Sequence, residues 1–497
     1  MIPLRLLEEI IDLPGIAPPI EAMLPAGVRA RQLLIRTLLP GMLLVLAGHR
    51  PAHLTRVHHA LISLPADDQA RLGVIADWKH GPHRLTCRQT ERTFALLAGT
   101  LAKDHPDGLP SPGLAAICDG LLEASIPGQF KHASAALAVD WTDLETFSRP
   151  PPAKGGNCAG PEASWGHRKN NLPGPKDELF YGYYASAAIM MPDETGPAVP
   201  EFARRATLSS CHHDPARALV PVLTAMPPAG IPLGDMLADS GYAHRDPGAW
   251  AIPLRTAGAQ LVQDLHPHDR GPRGTHYGAI ISNGNLYCPS TPRSLPELGP
   301  LARDASTEDA TAHDTKTAET ARYKLGRITR DDTDGYHRIA CPAVTGKIRC
   351  PLRPPSMTLD RDRPEILIPP QNPQACCTQQ TLTVPPQVTA KTAQKHDYPS
   401  KAHHRSYTRR TGAEHGFATI KDPASNDTGR GWCRLMGQTP LMLWLTCLLT
   451  VRNQRILQAR NTRQQDDARR AAASQPPRTR RRRRKTLTSL TAAIAPP

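Results

Sequence analysis

Six side chains in this 497-residue chain have the types and spacing that chemistry requires: Asp140, Asp239 and Glu414, with Tyr407, Arg410 and Lys421 grouped around the last. The segment YTRRTGAEHGFATIK, residues 407–421, reads as a helix. At about 100° per residue, Tyr407, Arg410, Glu414 and Lys421 fall within about 60° of one another on its surface. A phenol, a guanidinium, a carboxylate and an ammonium thus share one narrow face. Three carboxylates suit a hard divalent cation such as Mg2+, which takes oxygen ligands and keeps several waters. Two such ions about 4 Å apart can activate an attacking oxygen and stabilise a leaving one in phosphoryl transfer. Arg410 and Lys421 are suited to phosphate oxygens, and Tyr407 to a hydrogen bond or stacking. The plainer reading is a solvated helix in which Arg410 and Glu414 form an i,i+4 pair worth a few tenths of a kcal/mol. For each aspartate the plainer reading is a helix N-cap.

The elements that must position these groups can be read around them. Gly412 and Gly416 lie roughly opposite the charged face, where a missing side chain admits a close neighbour. Pro399 and Pro423 set breaks on either side. The apolar run Ala135–Val139 has strand length and ends on Asp140. An acid there sits where a sheet opens to solvent, the usual place for ligand sites of mixed α/β folds. After a Pro- and Gly-rich loop (Pro150 to Pro175), ELFYGYYASAAIMMPD reads as a second strand paired with the first. LGDMLADSGYAHR repeats the design: an apolar approach, Asp239, then Gly241, which permits a tight exit. A helix over 247–257 and a strand over 260–265 follow.

The remaining segments frame this core. Residues 1–130 carry apolar residues at helical spacing, broken near Pro51, at 65–68 and at 104–113. They form a helical N-terminal domain, either a helix-turn-helix that reads DNA or a plain bundle packed on the next unit. Residues 266–398 are rich in Pro, Thr, Asp and Arg and read as an irregular, partly β insertion between the second and third acids. It contains Cys288, Cys341, Cys350, Cys376 and Cys377. A structural zinc usually takes its thiolates in close-spaced pairs. Cys-x8-Cys and adjacent Cys-Cys favour buried free thiols instead. Residues 399–460 complete the core with C-terminal helices. From Asn461 the chain turns polar, and 461–497 reads as a disordered basic tail running through PPRTRRRRRK.

Composition sets outer limits. The net charge of +15, from 60 Lys and Arg against 45 Asp and Glu, favours a polyanionic partner, nucleic acid before membrane. An odd count of 11 cysteines in a long chain argues against a secreted disulfide framework. No N-terminal segment resembles a signal peptide. The apolar runs Leu33–Ala47 and Leu441–Val451 are too short to span a bilayer. The expectation is a soluble cytoplasmic protein with no membrane partner.

These residues carry a resemblance. Asp140 in AVDWTD, Asp239 in ADSGYAHR and Tyr407-x2-Arg410-x3-Glu414-x6-Lys421 resemble the acids and the Tyr-Arg-Glu-Lys signature of one branch of the bacterial DDE insertion-sequence transposases. The resemblance covers roughly residues 131–265 and 400–455. It implies an α/β, RNase H-like catalytic core, with Asp140, Asp239 and Glu414 as catalytic metal ligands and Tyr407, Arg410 and Lys421 on DNA phosphate. It also implies two Mg2+ ions, with Mn2+ as a substitute, and strand cleavage and transfer at terminal repeats. The partners would be element ends and target DNA, bound by a homodimer assembled on DNA at the nucleoid. A catalytically inactive or domesticated DNA-binding protein on the same fold is the alternative, and a nuclease that cuts without joining is a third reading.

Overall fold

The computed structural model describes residues 2–25, 31–78, 81–103, 109–152, 156–169, 177–302, 304–422 and 428–476. Its centre is a six-stranded mixed sheet. The strands are β1 (Leu137–Glu145), β2 (Ser164–Lys169), β3 (Asp177–Met190), β4 (Ala203–Ser210), β5 (Asp235–Ala238) and β6 (Gln260–Gln263). β1 lies between β3 and β5, and β6 is the edge beyond β5. β1 and β3 are antiparallel over nine residue pairs, Leu137↔Met190 to Glu145↔Gly182. β3 is long enough to hold two partners on its other side, β2 along its first part and β4 along its second. β5 and β6 run parallel to β1.

Alternation along the strands sends side chains to two cores. On β1, Ala138 and Leu144 face one, and Leu137 and Val139 the other. The second core is closed by α3 (Pro215–Thr224), through Leu219 and Leu223, and by Trp250 and Leu254. The first is much larger. It joins the sheet to the N-terminal helices, among them α1 (Ile35–Ala47) and α2 (Pro112–Ala124). The core is continuous from residues 1–130 into the sheet: Leu38, Leu43, Leu121 and Leu122 share it with Tyr183, Ile189 and Leu208. A short hairpin, Ile75–Trp78 with Gly81–Arg84, interrupts the helices.

The C-terminal elements lie over the same face. α4 (Lys401–Tyr407) leads through a 3-10 turn at Thr408–Arg410 into α5 (Thr411–Lys421), so the expected single helix is divided at the signature's arginine. The 35-residue α6 (Gln438–Ala472) ends the described chain. Its polar middle is anchored: Asn453 bonds both the N–H and the C=O of Ala203 at 2.8 Å, and Ser125 at 2.8 Å. Residues 461–472, read from the sequence as part of a disordered tail, continue this helix with mostly exposed side chains. The arginine run itself lies outside the described residues. Among the described residues no helix is long and apolar enough to cross a membrane.

The 266–398 insertion is partly β, as expected, with two three-stranded sheets, but it also holds a 17-residue helix, Thr307–Tyr323. That helix opens with a Ser306–Asp309 capping box, and its Thr- and Ala-rich surface hid it from a search for apolar periodicity.

Gly182 is where the sheet tolerates no side chain. A Cβ there would stand 2.2 Å from the Leu144 carbonyl oxygen and 3.0 Å from the Thr146 nitrogen, both backbone. Gly182→Ala should therefore lower stability by about 1–3 kcal/mol, the usual cost of overpacking. An unchanged urea midpoint would mean the strands part there at no cost.

Candidate active site

Asp140 and Asp239 leave adjacent parallel strands side by side. The last paired residues of β1 and β5 are Ala138 and Leu237, and each acid follows its own by two positions. Neighbouring strands are about 4.8 Å apart, so both carboxylates emerge at one edge of the parallel part of the sheet. β1 does not end at Asp140, as its apolar run suggested; it continues to Glu145 against β3 alone. The opening beside Asp140 arises because β5 stops at Ala238.

Asp239 fills the plainer role expected of it as well. It caps the one-turn helix Ser240–Ala243, its Oδ1 accepting from the Tyr242 N–H at 3.2 Å. Gly241 is required by packing: a Cβ there would meet Trp141 at 2.6 Å. Trp141 stands edge-on to Tyr242 with ring centroids 4.8 Å apart, and the Arg245 guanidinium lies 5.2 Å above the Trp141 ring. This aromatic wedge fixes the floor under both acids.

Glu414 arrives from the other side. It sits in the first turn of α5, where a carboxylate also complements the helix dipole. Gly412 and Gly416 give α5 its close seat on the sheet, against side chains and not backbone. A Cβ at Gly412 would stand 2.3 Å from the Met191 sulfur, and one at Gly416 3.3 Å from Ile189. The entry to α5 is tied down by Asp235 at the start of β5. Its buried carboxylate accepts from Arg409 at 2.7 Å and from Lys395 at 2.9 Å. Tyr398 bonds Asp264 at 2.8 Å, just past β6. These anchors, Asp235, Arg409 and Lys395, were not singled out in the sequence; nothing local marks them, because each partner comes from a distant segment.

Arg410 is the hub. It bonds Glu414, its Nη1 lies 3.5 Å from Asp140 Oδ2, and its guanidinium sits 5.7 Å from the Tyr407 ring centroid. Asp140 is mostly buried, its side chain 21% exposed, whereas Glu414 is 52% exposed. Burial, then repulsion from Asp239 and Glu414, lifts the Asp140 carboxyl to about 6, although Arg410 and the Trp141 N–H oppose the rise. Tyr407 is pushed up to about 12, mainly by burial, so it is a neutral phenol at pH 7.

Lys421 is placed differently. Its ammonium bonds Asp143 at 2.7 Å, and Asp143 also accepts from Arg168 at 2.8 Å. Burial would raise the Asp143 carboxyl, but these two cations outweigh it and hold the group below its usual value. Asp143 belongs to the site and was legible only as the second acid of AVDWTD.

Comparison with protein-family models, curated proteins and solved structures finds no match for this chain. What the site can do has to be argued from its own groups.

Those groups fit a hard cation. Three carboxylates face one guanidinium, leaving the cluster net negative, and Asp239 and Glu414 add to the rise that burial imposes on the Asp140 carboxyl. All the donors are oxygens, as Mg2+ prefers. Among the described residues, the one trio of His, Cys, Asp or Glu whose ligand atoms all lie within 4.8 Å of one another is elsewhere: His244, His266 and Asp269. There Lys391 already neutralises Asp269 at 2.8 Å, and the His244 and His266 rings stack with centroids 4.0 Å apart.

Proposed function

We propose that this chain is a DNA phosphoryl-transfer enzyme of the DDE transposase type, with Asp140, Asp239 and Glu414 as its metal-binding acids. The observation that carries the reading is the convergence of three acids from distant parts of the chain around Arg410. Two come from adjacent parallel strands and one from a helix laid across the same sheet, which supports an RNase H-like core.

The three carboxylates would hold Mg2+, which supplies activation of an attacking oxygen and charge stabilisation of a leaving one. The chain's own residues do the rest. Asp140, with its elevated carboxyl, must release its proton for the site to form. Arg410 has two states available: counter-ion to Asp140 and Glu414 in the free protein, and a fork for phosphate oxygens once the acids are neutralised otherwise. Lys421, 37% exposed, remains near Asp143 and can turn its remaining donors to a phosphate. Tyr407 stacks on His403 at 5.9 Å and carries Arg410 over its face, so it orients the guanidinium.

The test uses the full chain, Mg2+, and a plasmid carrying the sequences that flank its gene. Cleavage at defined ends followed by joining to a target is the expected result. Binding to those ends with no cutting in Mg2+ or Mn2+ would transfer the reading to a domesticated DNA-binding protein. Cutting without joining would make it a nuclease on the same fold.

A further inference from the structure

β5 and β6 are adjacent and parallel, so the turns that follow them share one edge of the sheet. Ligand sites of parallel sheets lie at that edge. His244 stands six residues past the end of β5 (244 − 238) and closes the one-turn helix Ser240–Ala243. His266 stands three past the end of β6 (266 − 263) and leads into the 3-10 turn Pro267–Asp269. The two turns bring one ligand atom from each of His244, His266 and Asp269 within 4.8 Å of the other two. A third histidine, His268, has its ring centroid 5.0 Å from that of His266 and 6.2 Å from that of His244.

The spacing suits a metal. Two donors about 2.1 Å from one ion, at square to tetrahedral angles, stand roughly 3.0–3.4 Å apart. His244 Nδ1 and Asp269 Oδ2 are 3.0 Å apart. The other oxygen, Oδ1, accepts from Lys391 Nζ at 2.8 Å. A ligating carboxylate is held in this way, one oxygen for the metal and the other hydrogen-bonded. His266 Nδ1 accepts from the His268 N–H at 3.3 Å. That nitrogen therefore carries a lone pair, in a bond long enough to be exchanged for a stronger one. The arginines beside the trio are drawn elsewhere. Arg245 bonds Asp214 and the Gly241 C=O, and Arg270 bonds Asp264 at 3.2 Å and the Leu265 C=O at 2.8 Å. An ordinary ion pair accounts for His244 and Asp269 alone. It does not account for His266 against the same atoms, nor for three imidazoles crowded where His244 is 49% exposed and His268 lies on the surface.

We propose that His244, His266 and Asp269 hold a Zn2+ ion, with His268 at its fourth position. The pairing of Asp269 with Lys391 leaves little charge for a hard cation such as Mg2+, but zinc takes neutral imidazole nitrogens, and three of them with one carboxylate make a tetrahedral set. Without metal, the His244 Nδ1–H donates to Asp269. On binding, that proton passes through solvent to Nε2, and Nδ1 gives its lone pair to the ion. The His244 and His266 rings, 29° apart in plane, turn about their side-chain bonds to converge, and His268 swings in from the surface. The ion would clamp the turn after β5 to the turn after β6, with Lys391 of the insertion on the same carboxylate. The helix so clamped is the one that Asp239 caps: its last N–H, on His244, bonds the Ser240 C=O at 3.0 Å. The zinc site thus lies one helical turn from a proposed catalytic acid, yet it stands on its own residues whatever those acids do.

The test is titration of the full chain, carrying no histidine tag, with Zn2+ alone after metal has been stripped. Excess Mg2+ is kept present to fill sites made only of oxygens. Wild type should take up about one Zn2+ per chain, and its melting temperature should rise with zinc concentration. His244→Ala and His266→Ala should each weaken binding at least tenfold and abolish the rise. His268→Ala, which leaves water at the fourth position, should still bind one Zn2+ but less tightly. His212→Ala should change nothing, although His212 and His213 also form a histidine pair, with centroids 3.9 Å apart. Should the first two variants fail to fold, wild type alone still decides: Co2+ in place of zinc should absorb in the visible without the near-ultraviolet band that thiolate ligands give. Wild type that binds no Zn2+ would overturn the proposal. So would zinc retained at full affinity in both His244→Ala and His266→Ala, or a thiolate band in the cobalt protein.

Discussion

Asp239→Asn and Glu414→Gln should each reduce Mg2+-dependent DNA cleavage by about a thousandfold or more while leaving DNA binding intact. Each change keeps side-chain size and removes one of three negative charges. Metal-assisted activation supplies several kcal/mol, and each ~1.4 kcal/mol is tenfold in rate. The fold should not suffer. Asn is a competent N-cap, so the Tyr242 N–H keeps a partner in Asp239→Asn. Glu414 is half exposed, and Gln can still accept from Arg410. Binding should persist or tighten, because a charge that repels phosphate has gone. Arg410→Ala should show the opposite pattern, weakening the hold on the DNA end, since it removes a phosphate-directed fork. The paired measurement is cleavage in Mg2+ and binding without it. Carboxamide variants that cut at the wild-type rate would eliminate the three-acid mechanism.

The contrast between what the sequence displayed and what it concealed has a physical basis. Asp140, Asp239 and Glu414 were legible because each interrupts an apolar approach or marks one helix face, which are local signals. The pairing of β1 with β3 was legible from their apolar runs. β4 was not: its sequence ARRATLSS places Arg204 and Arg205 side by side, yet every residue of it is buried. Both arginines reach Glu123 on α2, at 2.9 and 3.1 Å, and that carboxylate lies 81 residues from Arg204 and 82 from Arg205. A charged pair in the sequence therefore reads as surface until its partner is known. The same holds for Asp235, whose buried charge is explained only by Arg409 and Lys395. The division of the signature helix at Thr408–Arg410 had no sequence mark, and it is what turns Arg410 toward Asp140.

Asp140→Asn should make the metal-free protein more stable. In the folded chain the Asp140 carboxyl sits at about 6 against an ordinary 3.8, chiefly because it is buried and then because Asp239 and Glu414 repel it. A carboxyl raised on folding contributes stability that is fully present below its unfolded value and is lost as pH rises through its folded one. Across that window the native state binds the extra proton, so this group's contribution falls from about pH 4 to about pH 6 and stays low above. At 1.36 kcal/mol per unit the loss is on the order of 3 kcal/mol at pH 7.5. Asp140→Asn never ionises, so it should be more stable than wild type there, and the difference should vanish toward pH 4. The comparison must be between the two proteins and not along one curve. Asp143, held below its usual value by Lys421 and Arg168, and Glu194, held below its own by the Ser406 hydroxyl and then by His396 and Lys395, give slopes of the opposite sign that cancel only in the difference. Part of the gain is offset because Arg410 exchanges an ionised partner for an amide. Added Mg2+ should then separate the two proteins the other way. It should raise the melting temperature of wild type, whose clustered charges it relieves, and barely move the Asn variant. Denaturant midpoints at pH 4 and 7.5, with and without Mg2+, test every part of this. An Asn variant less stable than wild type at pH 7.5 would show that Arg410 already compensates the buried charge in full. The site would then have no deficit of positive charge for a metal to fill.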